Sequence, residues 1–160
     1  MAGGAPVALT LRHRIMRAGF PELHMTRIDK ALPVLRVADV GRSVAWYERV
    51  LGFEADCFPD DPPYVFAIVK RDGAEIMLQR VSPTEQAVPP SRESWSVYLR
   101  LSGERILEVH ERVKGETAVL AGPWRKVYCD VEFEIADPDG HRLCLGELLP
   151  DTIQLPSPPE

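Results

Sequence analysis

Apolar and polar positions along the chain fall into short runs whose periods change at clear punctuation. Leu32 to Val37 (LPVLRV) reads as a strand. Asp39 stands as the cap of a helix from about Gly41 to Leu51, with Val40, Val44, Tyr47 and Leu51 at helical spacing and Gly52 as the stop. Phe53 to Phe58 follows as a strand, and Asp60 to Pro63 as a Pro-rich turn. Tyr64 to Lys70 and Ala74 to Arg80 flank Asp72-Gly73, a strong hairpin signal. After a polar, Pro-bearing stretch the order begins again. Trp95 to Leu101 reads as a strand, Gly103 to Lys114 as a helix stopped by Gly115, and Thr117 to Ala121 as a weak strand. Val127 to Ile135 is a long strand, Asp137-Pro138-Asp139-Gly140 a turn, and His141 to Glu147 the last strand.

The two runs share letters as well as order. Leu35-Arg36-Val37 answers Leu99-Arg100-Leu101, and Tyr47-Glu48-Arg49-Val50-Leu51-Gly52 answers His110-Glu111-Arg112-Val113-Lys114-Gly115. A period near 64 residues marks an internal duplication. The expected organisation is an N-terminal extension over 1–30, mobile and without lasting period, a first βαβββ module over 31–81 and a linker over 82–93. A second module over 94–148 and a disordered Pro-rich tail over 149–160 complete it. Met25 stands just before the first strand, so the start codon is either Met1 or Met25.

Composition narrows the function. The chain has 160 residues, 45% of them hydrophobic, enough to bury a core. Five bases and two acids give the first 30 residues +3, which leaves −8 on the rest for a formal total of −5. An acidic body argues against nucleic acid and against an anionic membrane surface. No apolar run reaches the ~18 residues of a transmembrane helix, and the basic opening lacks the apolar stretch of a secretory signal. Cys57, Cys129 and Cys144 form no C-x-x-C pair and read as packed thiols of a reducing, cytoplasmic compartment.

The run from Leu32 to Phe53, LPVLRVADVGRSVAWYERVLGF, and the run from Phe133 to Leu145, FEIADPDGHRLCL, resemble the glyoxalase / bleomycin-resistance / dioxygenase family, the vicinal oxygen chelate superfamily. The resemblance covers about Leu32 to Leu148. It implies an α+β fold of two βαβββ modules forming a curled mixed sheet with an open cleft, helices on the outer faces, and a homodimer. Enzymes of the family hold a divalent metal on one side chain from each of four strands. Carried over singly, those positions fall on Leu32, Gln79, Ser96 and Cys144. Leu32 has no donor atom, Gln79 is neutral and Ser96 is a poor ligand, so the expectation is no metal and no cofactor.

Given the positions that the resemblance implies, strand alternation puts one set on the cleft face: Leu32, Val34 and Arg36; Glu75, Met77 and Gln79; Ser96, Tyr98 and Arg100; Arg142, Cys144 and Gly146. The expected ligand-binding residues are Arg36, Met77, Gln79, Trp95, Tyr98 and Arg100, with Tyr98 supplying much of the affinity. Arg36 and Arg100 have a plainer role open to them, as ion-pair partners of Glu75, Glu132 or Glu134. Trp46 is expected half-exposed, Trp95 buried at the dimer seam or else stacked on a flat ligand, and Trp124 in a loop. His110 lies outside the cleft and His141 serves the last turn. Three functions stand side by side. The first is a metal-independent binder that sequesters a drug-like or metabolite ligand, in the manner of antibiotic-resistance members, with the acidic groups favouring a cation. The second is a metal-dependent lyase, isomerase or dioxygenase. The third is a structural or regulatory dimer module with a vestigial cleft.

Overall fold

A computed structural model describes residues 27–82, 94–103, 105–128, 130–150, 152, 153 and 155. Most of the expected N-terminal extension and start-codon alternative, nearly all of the linker, Cys129, and most of the Pro-rich tail lie outside the described residues. The chain divides into two units, 1–31 and 32–160. Within the first, Arg27 pairs with Asp29 at 2.7 Å.

The second unit carries the duplication. Its first run is β1 (Val34–Val37), α1 (Val40–Leu51), β2 (Glu54–Phe58), β3 (Phe66–Arg71) and β4 (Ala74–Arg80). Its second is β5 (Val97–Arg100), α2 (Ile106–Val113), β6 (Val119–Arg125), β7 (Asp130–Ala136) and β8 (Arg142–Leu148). In both, the first strand lies parallel to the fourth and the other pairs are antiparallel. The β-α-β-β-β order is thus built twice as an α+β fold.

The expected curled sheet is not formed. Hydrogen bonding gives two separate four-stranded sheets, β1-β4-β3-β2 and β5-β8-β7-β6, neither strongly curled nor closed. Each ends in strands bonded on one side only, so neither ladder closes on itself.

Helix α1 starts where Asp39 accepts a bond from the Arg42 amide at 2.9 Å and ends at Gly52, whose φ of 67° is the left-handed cap. Its buried face, including Val40, Val44, Tyr47 and Val50, packs over the face of the first sheet that carries Leu35, Val37, Ile76 and Leu78. Helix α2 begins later than its sequence suggests. Its N-cap, Arg105, offers no capping side-chain bond, and Glu147 of β8 supplies one instead, accepting from the Ile106 amide at 2.7 Å. Ile106, Val109 and Val113 then pack towards β7 and β8, where Phe133, Ile135, Leu143 and Leu145 are buried.

Two tryptophans depart from expectation. Trp46 is only 6% exposed and sets its ring edge-on to Tyr47, with centroids 5.0 Å apart. Trp124 belongs to β6, opposite Glu132, not to a loop. Two register shifts between Val119 and Trp124 absorb Gly122-Pro123 without ending the strand.

The two modules meet at an acidic turn. Asp139 accepts from the Ala38 amide at 2.8 Å and from Ser43 Oγ at 3.0 Å, and pairs with Arg42 at 3.0 Å. Tyr47 donates to Asp137 at 3.3 Å. His141 reaches across as well, its Nε2 lying 2.8 Å from the Arg36 carbonyl oxygen.

Candidate functional site

Cross-strand register sets the faces of both sheets. Opposite pairs such as Tyr98 and Cys144, Arg100 and Gly146, and Glu132 and Gly146 share one face of the second sheet. Val34 with Met77 and Arg36 with Gln79 share one face of the first. This mixed face is the one turned away from the helix-covered core.

The six candidate ligand-binding residues fall into two groups. On the first sheet Arg36 of β1 donates to Gln79 of β4 at 3.4 Å, with Met77 two residues back on the same face. At the second sheet Trp95 stands just before β5, 41% exposed on the single chain, with its ring centroid 5.5 Å from that of Tyr98. Tyr98 is in turn 3.5 Å from Arg100. Arg100 takes the plainer role as an ion-pair partner, but the acid is Asp130.

The second group extends into residues that alternation alone did not single out. The Tyr98 hydroxyl lies 3.2 Å from Asp130 Oδ2 and 3.1 Å from Glu132 Oε1, and its one proton serves one of them at a time. Tyr128 donates to the same Glu132 oxygen at 2.8 Å. Lys126 stands 3.6 Å from the other. Glu134 is paired with Arg142. Burial and then Glu132 push the Tyr128 phenol up to about 12. Burial also raises Tyr98, against the lowering effect of Arg100 and with the help of Glu132. Both phenols therefore keep their protons at neutral pH. One signal for this cluster was in the chain: glycine inside a strand, at 146, marks a close approach of something.

Charge on this face is balanced. Asp130, Glu132 and Glu134 each have a basic partner in Arg100, Lys126 and Arg142. The three acids thus lose most of their pull on a cation.

Two recesses open on the surface of this unit, the smaller one reaching the mixed face and the larger one on the helix-covered side of the first sheet. One of about 590 Å³ runs between the β3–β4 hairpin tip, Arg71 to Ala74, and β5 with α2, and includes Tyr98 and Arg100 in its wall. Another of about 740 Å³ lies between α1 and β2, rimmed by Glu48, Asp56 and Asp60.

The metal that the resemblance implies finds no fitting donor set here. Gln79 spends its carbonyl oxygen on Arg36, and Ser96 Oγ sits 3.5 Å from His141 Nδ1. Cys144 is fully buried, and burial, Glu132 and Glu134 raise its thiol far above the ordinary value, which disfavours the thiolate a metal needs. Leu32 offers carbon only. Met77, beside Gln79 on the same face, would bring a neutral thioether. Among the described residues no group of three or more His, Cys, Asp or Glu is placed to hold a metal ion. Among them, too, no helix is long and apolar enough to cross a membrane.

Duplicated βαβββ modules, each with a helix-covered face and an open mixed face, define a class of paired-module proteins. The family model described as Glyoxalase/Bleomycin resistance protein/Dioxygenase superfamily matches residues 27–145, and the chain belongs to that superfamily. Membership supports small-molecule handling as its general role. A lactoylglutathione lyase of Salmonella typhimurium is 28% identical over 127 residues, covering 71% of this chain and 88% of the relative. Among solved structures, TioX from Micromonospora sp. ML1 is similar in fold, with a TM-score of 0.59 at 19% identity, covering 75% of this chain and all of that one. A protein of unknown function from Agrobacterium tumefaciens has a TM-score of 0.60 at 18% identity, covering 79% of this chain and 99% of that one.

Proposed function

We propose that this chain binds an organic small molecule on the mixed face of its sheets without a catalytic metal, in the manner of the bleomycin-resistance branch of its superfamily. What supports the reading is the donor set: the resemblance puts Leu32, Gln79, Ser96 and Cys144 at the ligand positions, and neither these nor Met77, which lies opposite Val34 as Cys144 lies opposite Tyr98, supplies a His or a carboxylate. What remains on that face suits a ligand of mixed character. Trp95 and Tyr98 offer exposed ring surface, Met77 an adaptable apolar contact, and Arg36, Gln79 and Arg100 hydrogen bonds that fix orientation.

A lyase or isomerase is the second reading, and it has its own support. The curated relatives that cover most of the chain carry the name lactoylglutathione lyase. The two readings part in one experiment. Native mass spectrometry against a panel of metabolites and antibiotics should yield a one-to-one complex, while turnover of lactoylglutathione stays at the uncatalysed rate with or without added divalent metal. Metal-stimulated turnover would overturn the binding reading in favour of the enzyme. Failure of the whole panel together with no turnover would favour the vestigial module.

The same reading places two copies together. Val34, Phe58, Leu120 and Leu148 leave large apolar side chains exposed. Sedimentation at micromolar concentration should return the mass of a dimer, and a monomer at all concentrations would remove that part of the proposal.

A further inference from the structure

Tyr98 does not stand up from its sheet. It leaves β5, crosses β8 at Gly146 and delivers its hydroxyl to Asp130 and Glu132 of β7. Gly146 is the notch that lets it lie there. A Cβ at 146 would overlap the Tyr98 hydroxyl oxygen and come within 2.7 Å of Cζ. The ring therefore occupies a fitted place, yet it is 36% exposed and lies outside the buried core cluster. It can turn towards solvent without unpacking that core.

Beneath it lies an unusual acceptor. Glu132 is 2% exposed, covered by Tyr98 and Tyr128, both of them exposed. Its Oε1 takes both phenols, while its Oε2 is buried with no hydrogen-bond partner and faces Lys126 at the longer ion-pair distance of 3.6 Å. Buried carboxylate oxygens normally have donors, so this one can accept a further donor from a bound molecule. The balance of three acids by three bases on this face removes selection for charge. What it selects is a neutral donor on a flat body, and the chain's own occupant is a phenol.

We propose that the notch over Gly146 is a binding site for a neutral hydroxyaromatic group, and that Tyr98 is its built-in occupant. A ligand phenol displaces the Tyr98 ring, lies on Gly146 and donates to Glu132. Tyr98 then acts first as a stopper and only secondarily as a contact. This deepens the binding reading, since it uses the same sheet face, but its test needs neither the metabolite panel nor a metal analysis.

The probe is 4-methylphenol, the tyrosine side chain cut free, with toluene as the control that lacks the hydroxyl. In full-length Tyr98→Ala, millimolar 4-methylphenol should raise the melting temperature by a few degrees, roughly as expected for a ligand well above its Kd. It should also shift the Gly146 amide resonance. Toluene should bind at least about tenfold more weakly, the worth of one hydrogen bond to a charged acceptor. Wild type should need about tenfold more 4-methylphenol than the variant, because its own ring competes. Where Tyr98→Ala folds poorly, Tyr98→Phe serves: its ring has no bond to Glu132, so 4-methylphenol should move the Gly146 resonance at lower concentration than in wild type. Equal binding of 4-methylphenol and toluene, equal affinities in wild type and variant, or a crystal soak placing the probe away from Gly146 would each overturn the proposal. None of those results touches the binding reading, which fails instead on metal-stimulated turnover.

Discussion

Gly122→Ala should destabilise the protein by about 3–5 kcal/mol, close to the limit for a single substitution. Gly122 holds a φ of 89°, which side chains with a Cβ rarely adopt, at the bulge that carries β6 past Gly122-Pro123. A Cβ there would overlap the Glu132 carbonyl oxygen and come within 2.7 Å of Phe133 Cα and 2.9 Å of Phe133 Cβ. Those atoms belong to the central strand β7 and to a fully buried side chain, so no flexible tip can move aside. Gly73→Ala is the matched control. A Cβ at Gly73 meets nothing within 4 Å, so its cost should stay within about 0.5 kcal/mol. Urea unfolding of both variants gives the comparison, and equal midpoints would show that the β6–β7 approach is looser than described.

Asp139→Ala should cost about 2–4 kcal/mol, because one carboxylate serves three groups at the junction of the modules. It holds the Ala38 amide at the end of β1, the Ser43 hydroxyl in the first turn of α1, and Arg42. Its side chain is only 11% exposed, and Ser43 is buried, so water does not readily replace it. The loss should exceed that of Arg49→Ala, whose pair with Glu116 lies open to solvent and is worth at most about 1 kcal/mol. A loss below that of the surface pair would mean that the acidic turn is not what fastens the modules.

Much of this architecture was readable from local patterns, and the reason is physical. The cap at Asp39, the stop at Gly52 and the hairpin at Asp72-Gly73 are each decided within a few residues, by side-chain bonding or by permitted φ. Alternation likewise separates Leu35, Val37, Ile76 and Leu78 from Arg36, Met77 and Gln79, because side chains on a strand take turns. The start of α2 was misread because its capping carboxylate, Glu147, lies 41 positions away on β8. Trp124 looked like a loop residue because Gly-Pro usually ends a strand, whereas here bulges absorb it. The curl failed for a related reason: how a sheet bends depends on strands that are distant in sequence.

The candidate site divides the same way. Its faces follow from period, but its contacts follow from strand order. Tyr98, Glu132 and Gly146 meet only because β8 lies between β5 and β7. Nothing in the spacing of 98, 132 and 146 reveals that order. Glu75, Glu132 and Glu134 suggested a cationic ligand when counted singly; Lys126 beside Glu132 and Arg142 beside Glu134 weaken that preference at two of the three.

The central claim is that this member of the superfamily works without the metal its enzymes hold, and metal affinity tests it most directly. The purified chain is stripped with chelator, titrated separately with zinc, nickel, manganese, iron and magnesium, and analysed for bound metal after desalting. The account predicts no stoichiometric metal and an unchanged melting temperature through stripping and reloading. One tightly held ion per chain, lost on stripping and restoring a higher melting temperature on return, would contradict it.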